Sequence, residues 1–132
     1  MKVTGTFEVK LNPAEFYAEG VDGVQLGRLT LDKTFSGPLS GNSQGEMLSA
    51  RSPLAGSAGY VAIEQVNGTL QGKKGSFVLQ HFGTMQQGSN QLKVQVVPDS
   101  GAGELAGLAG EMAIRIEDGK HYYDFDFAFN SL

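Results

Sequence analysis

Apolar and polar positions alternate in short runs along the whole chain, and a period of two belongs to strands with one buried face. The last run is the cleanest. In 121–129, HYYDFDFAF, Tyr123, Phe125, Phe127 and Phe129 fall on one side, while Asp124 and Asp126 fall on the other. The first run, 3–11, sets Val3, Phe7, Val9 and Leu11 against Thr4, Thr6, Glu8 and Lys10. In 24–35, Leu29, Leu31 and Phe35 oppose Arg28, Thr30, Asp32 and Thr34. Further runs occupy 43–51 (a weaker one), 58–70, 76–85, 91–97 and 111–117. The middle of 58–70 is apolar on both sides, the pattern of a strand covered on two faces. Gly, Asn, Asp or Ser separate the runs, and the connectors at 71–75, 86–90 and 118–120 are of hairpin length. Helical signals are confined to one short turn near Pro13 and another in 103–108, GELAGL.

Eight short antiparallel strands must close or blunt their edges, because an exposed edge pairs with other chains. A strongly apolar final strand is unsuited to being such an edge. The pattern therefore predicts an all-β protein, a closed eight-stranded antiparallel barrel of up-and-down type, with a two-sheet β-sandwich as the alternative. Such a barrel has room inside for packed side chains or for one small ligand. No repeat or linker divides the chain, so 1–132 is read as a single domain.

Composition narrows the function classes. The 132 residues are 40% hydrophobic and 18% charged, which suits a packed soluble domain. Glycine is abundant at 19 residues, spread along the chain as a turn-rich fold requires. A net charge of −4 and scattered lysines and arginines argue against a nucleic-acid surface. The one basic pair, Lys73-Lys74, sits between glycines and reads as a solvated turn. No apolar run is long enough for a membrane helix, the N-terminal segment alternates where a signal peptide would be apolar, and no membrane partner is expected. The absence of cysteine excludes disulfides, thiolate nucleophiles and cysteine-ligated metals. A cytoplasmic protein is expected, with no cofactor, and the sequon Asn67-Gly68-Thr69 is read as a chance match.

The sharpest chemical feature lies in 75–85, GSFVLQHFGTM, where alternation turns His81 towards the same side as Phe77, Leu79 and Met85. With a turn centred on Lys73-Lys74, paired positions sum to 147, and Glu64 and His81 become diagonal neighbours on one face. Tyr60, Ala62, Val66 and Leu70 share that face. A hairpin at Asn67-Gly68 would separate the two, but would strand TLQG as a stub. A carboxylate raises a histidine's pKa while burial lowers it, so such a pair can hold a proton-transfer couple near neutral pH. Glu64 and His81 are accordingly the candidate catalytic residues, with Tyr60, Phe77, Leu79 and Met85 as candidate ligand contacts. The competing reading is a satisfied core pair or a subunit contact.

Weaker candidates fall away on their context. Gly101, Gly103 and Gly107 approach the spacing of a dinucleotide loop, but a strand follows where that loop needs a helix. His81, His121 and Glu64 could hold a metal only if His121, at a strand start, reached the others. Ser57, Ser76 and Ser100 lie in no nucleophile elbow. Glu46 and Arg51 differ by an odd number, face opposite sides, and each suits a rim ion pair.

Four blocks, GEMLSAR, GSAGYVAIEQVNGTL, GSFVLQHFGTM and VVPDSGAGELAGLAG, together resemble a bacterial family of unknown function with an allene-oxide-cyclase-like barrel. The resemblance runs over nearly the whole chain and implies the same closed barrel. Allene oxide cyclase steers ring closure of a lipophilic epoxide largely by cavity shape, and none of its catalytic residues maps individually onto this sequence. The resemblance thus implies a location and no reaction: a ligand would enter the barrel mouth and meet polar groups set into an apolar lining. One reading is a barrel that binds a small, largely apolar molecule and isomerises or cyclises it. A non-enzymatic carrier, or a filled structural barrel that forms homo-oligomers, stands beside it.

Overall fold

Three two-residue turns set much of the register. Gln71-Gly72, Gln87-Gly88 and Asp118-Gly119 all have positive φ at both positions (46° and 83°, 47° and 88°, 51° and 77°). That is the geometry of turns whose twist matches flanking strands, and glycine at the second position makes it inexpensive. The computed structural model describes residues 1–130. Its strands are β1 (Lys2–Ala14), β2 (Gln25–Ser36), β3 (Leu39–Arg51), β4 (Ala58–Leu70), β5 (Lys73–Gln86), β6 (Ser89–Val96), β7 (Ala102–Gly103), β8 (Leu108–Glu117) and β9 (Lys120–Phe129).

β1 to β6, β8 and β9 follow one another around a single antiparallel sheet, and β9 returns to β1 through pairs such as Val3 with Phe125. The sheet closes on itself, so the barrel and not the sandwich is the architecture. β7 is an addition, two residues that pair with Gly75 and Ser76 at the start of β5. One seam is short: β6 and β8 pair only through Val94–Met112 and Gln95–Glu111, whereas β8 and β9 pair from Leu108–Phe129 to Glu117–Lys120.

Several expectations need correction. The β4–β5 turn is Gln71-Gly72, with Leu70 opposite Lys73, so paired positions sum to 143 and not 147. Lys73 and Lys74 are therefore the first residues of β5, not a turn. Neither helical signal forms a helix: Pro13 lies in β1, and 102–108 is a series of tight turns with bonds such as Leu105 N to Ala102 O at 3.1–3.4 Å. No helix able to cross a membrane is present among the described residues. β4 is covered on one face only. Val61 and Ile63 stand half exposed on the outside beside Leu48 and Phe82.

The interior is divided along the barrel axis. At one end Phe35, Phe77, Phe125, Tyr123, Leu39 and Leu70 are at most 2% exposed and fill the lumen. The connector 97–107 crosses this end and drops Leu105, wholly buried, into it. Tyr123 locks the arrangement, since its hydroxyl accepts from Leu39 N at 2.8 Å and donates to Leu39 O at 2.9 Å. The opposite end, formed by the C-termini of β3 and β5 and the N-termini of β4 and β6, is open.

Candidate functional site

Between the filled and open ends lies a layer of charge. Inward-facing positions of β2, β3, β4 and β5 carry Lys33, Ser43, Glu64 and His81, all nearly or fully buried. Glu64 is the hub. Its Oε2 accepts from Lys33 Nζ at 2.8 Å and from His81 Nε2 at 2.7 Å, and its Oε1 accepts from Ser43 Oγ at 2.9 Å. Gly45, directly across from Glu64 on β3, makes the hub possible. A Cβ there would run into the Ile63 carbonyl and into Glu64 Cα and Cβ at 2.7 and 2.8 Å. Lys33 is further held over the faces of Phe7 and Phe35, with Nζ 4.8 and 5.8 Å from their centroids.

The electrostatics follow from this geometry. Burial alone would push the Glu64 carboxyl up, but the His81 bond and the Lys33 charge outweigh it and bring the pKa down to about 2. The carboxylate is therefore ionised at neutral pH and can only accept, which makes His81 Nε2 the protonated ring nitrogen. Glu64 is an anchor for two cationic or polar groups and a poor proton acceptor itself. Among the described residues no buried side-chain polar atom lacks a partner.

Above this layer the barrel opens into a cavity of about 500 Å³, lined by Met47, Ser49, Tyr60, Met85 and Leu92 among others. Tyr60 forms its floor towards His81, with the two rings 6.3 Å apart. The ring lies over Gly83, its partner on β5, where a side chain would collide with it. Burial, and secondarily the Glu64 charge, raises the Tyr60 pKa, which keeps the phenol a hydrogen-bond donor.

The six residues expected from sequence are thus divided. Tyr60 and Met85 line the cavity. Glu64 and His81 are bonded to one another beneath it. Phe77 stacks on Phe125 at 5.9 Å, and Leu79 is wholly buried opposite Glu64, so both belong to the packed interior. The four-residue error in register leaves Glu64 and His81 as diagonal neighbours, since His81 lies two positions beyond the Glu64 partner instead of two before it. Sequence reasoning missed Lys33 and Ser43. Lys33 was detectable, because it shares the parity of Leu29, Leu31 and Phe35 on β2.

Of the two rim ion pairs expected for Glu46 and Arg51, only that of Glu46 forms among the described residues. Glu46 pairs with Arg28 at 2.5 Å. The His121 ring packs on Phe7 at 5.2 Å, and no three His, Asp or Glu converge as a metal site among the described residues. Ser57 Oγ accepts from Gln87 N at 3.2 Å and Ser100 Oγ from Val78 N at 3.0 Å, both in loop-fastening roles.

Comparison with known proteins places this geometry in a family. The model for a protein of unknown function, DUF3224, matches residues 3–127. The chain belongs to the DUF3224 family. It is similar, at 63% identity and a TM-score of 0.97, to a DUF3224 protein of unknown function from Shewanella oneidensis MR-1, whose crystal structure was determined at 1.84 Å. The alignment covers 100% of this chain and 98% of that one. No curated protein matches. DUF3224 membership agrees with the bacterial family of unknown function that the four sequence blocks resemble.

Proposed function

We propose that this DUF3224 protein binds a small, largely apolar molecule in the open half of its barrel. The observation that carries the reading is the asymmetry of the lumen. One end is filled with aromatic side chains, while the other keeps a cavity of about 500 Å³ within the size range of small-molecule sites. Its walls combine methionines and Leu92 with one phenol, and Met side chains adapt to irregular ligands. Tyr60 would donate to an acceptor on the ligand, with His81 and Glu64 setting the phenol's surroundings from below.

Equilibrium titration with a neutral fluorophore, N-phenyl-1-naphthylamine, tests this. One molecule per chain should bind with enhanced emission, and Ala58→Phe, which fills the cavity from its wall, should abolish the signal with the circular dichroism spectrum unchanged. An unaltered titration in Ala58→Phe, or none in the parent protein, refutes the reading.

A second reading, isomerisation or cyclisation of the bound molecule, has one specific support: a charged Lys33–Glu64–His81 cluster lies directly beneath the cavity floor. In that reading His81 acts through Nδ1 or Tyr60 through its hydroxyl, and Glu64 holds the imidazole in place. Recovery of the bound molecule unchanged after prolonged incubation would leave the carrier reading alone.

A further inference from the structure

The chain has three arginines, and they are not equivalent. Arg28 pairs with Glu46 at 2.5 Å, and Arg115 pairs with Asp124 at 2.7 Å and Glu117 at 2.9 Å. Arg51 has no carboxylate partner among the described residues. It is the last residue of β3, on the parity of the inward-facing Ser43, Met47 and Ser49, and it closes a row across the barrel rim with Ala58 and Met85. Every other residue lining the cavity is uncharged, so Arg51 supplies the one formal charge of a site walled by Met47, Met85 and Leu92.

A guanidinium presents a planar fork of donors that matches a carboxylate bidentately, and it stays protonated at any working pH. At the end of a strand it can reach a charged head that remains in water while an apolar body lies further down. The buried end of the cavity offers the opposite character, since Tyr60 is a neutral donor and the cation beyond it, Lys33, is already paired with Glu64 at 2.8 Å and has no free charge to offer an anion. The site therefore has a polarity: anion at the rim, apolar body within.

We infer that the ligand of the open half is an amphipathic monocarboxylate, held by its carboxylate on Arg51 with its apolar portion against Met47, Met85 and Leu92. The inference rests on the cavity being a ligand site, as proposed above, and adds the chemical class. Arg51 is a binding and orienting residue in this scheme.

Calorimetric titration with octanoate, octanol and octyl phosphate at pH 7.5, with N-phenyl-1-naphthylamine displacement alongside, tests it. Octanoate should bind at least ten times more tightly than octanol. In Arg51→Gln that ratio should fall to near one, and in Arg51→Lys it should be partly retained, because a point charge replaces the fork. A ratio near one in the parent protein, with octanol displacing the fluorophore, overturns the carboxylate anchor and leaves the cavity reading standing. Tighter binding of octyl phosphate than of octanoate overturns the carboxylate in favour of a phosphate head. Failure of both octanol and the fluorophore to bind removes the cavity reading and this inference together.

Discussion

The two ends of this barrel are built from the same eight strands and differ first in what those strands turn inwards. At the filled end the inward positions are Phe35, Phe77, Tyr123 and Phe125, stacked or edge-on at 5.8–5.9 Å and sealed by Leu105. At the open end the corresponding positions are Ser49, Tyr60, Gly83 and Leu92, too small or too few to meet across the lumen. The seam between β6 and β8 matches this division. Its two pairs, Val94–Met112 and Gln95–Glu111, leave the Ser89–Lys93 stretch beside the cavity without a β8 partner. One end therefore supplies the stability that permits the other to stay hollow. Between them Lys33, Glu64 and His81 form a layer whose charges are satisfied by each other.

The comparison breaks most readily at the filled end. Phe125 is wholly buried and touches both the Phe77 and Phe127 rings, so Phe125→Ala leaves a cavity that the closed sheet cannot collapse around. It should cost about 4 kcal/mol, read as a fall in the urea midpoint with the slope unchanged. A loss below about 1 kcal/mol would mean that this end is not the packed one.

The charged layer comes next. Glu64→Gln removes the carboxylate and leaves Lys33 buried with no counter-charge, a loss of about 3 kcal/mol, while Lys33→Met added to it should restore part of the stability. Its pH dependence has a defined sign. The Glu64 pKa is held at about 2 against an ordinary value of 4.5, so the folded state binds the proton less well than the unfolded one. This contribution is complete above pH 4.5 and is lost as the pH falls from there towards 2. Urea midpoints measured across that window should decline more steeply in the parent protein than in Glu64→Gln, and equal slopes would show that Glu64 is not ionised in the fold.

How far these regions were legible in the sequence follows from the kind of signal each leaves. Strand 58–70 is matched at both ends, and the aromatic face of 121–129 lies inward at Tyr123, Phe125 and Phe127, because alternation reports burial on one face directly, while Phe129 at the strand end is exposed. Closure was legible for the same reason, since no strand reads as an edge. Register was not, because the two glycines around Lys73-Lys74 outline a turn more plainly than Gln71-Gly72 does, and the stronger signal Asn67-Gly68 lies inside β4 opposite Asn42 and Gly41. Val61 and Ile63 suggested a second covered face, but apolar side chains on an exposed sheet face look the same in sequence. Of the site, Glu64 and His81 stood out as polar residues on an apolar parity. Lys33 obeys that rule as well. Ser43 lies on a weakly patterned strand where hydroxyls and glycines dominate, and only the fold reveals that it faces a carboxylate.

The smallest effect sharpens the contrast between the ends. Met85 lies on the inward face of β5, four residues beyond the buried His81, yet it is 37% exposed because nothing fills the lumen around it. A fully buried methionine truncated to alanine loses about 2–5 kcal/mol. Met85→Ala should cost less than about 1 kcal/mol, since part of its surface already meets water. The same change removes one apolar wall of the cavity, so the affinity for N-phenyl-1-naphthylamine should fall several-fold although stability scarcely moves. Loss of stability without loss of affinity would make Met85 a packing residue and the open end a continuation of the filled one. Loss of affinity alone separates the two ends by function.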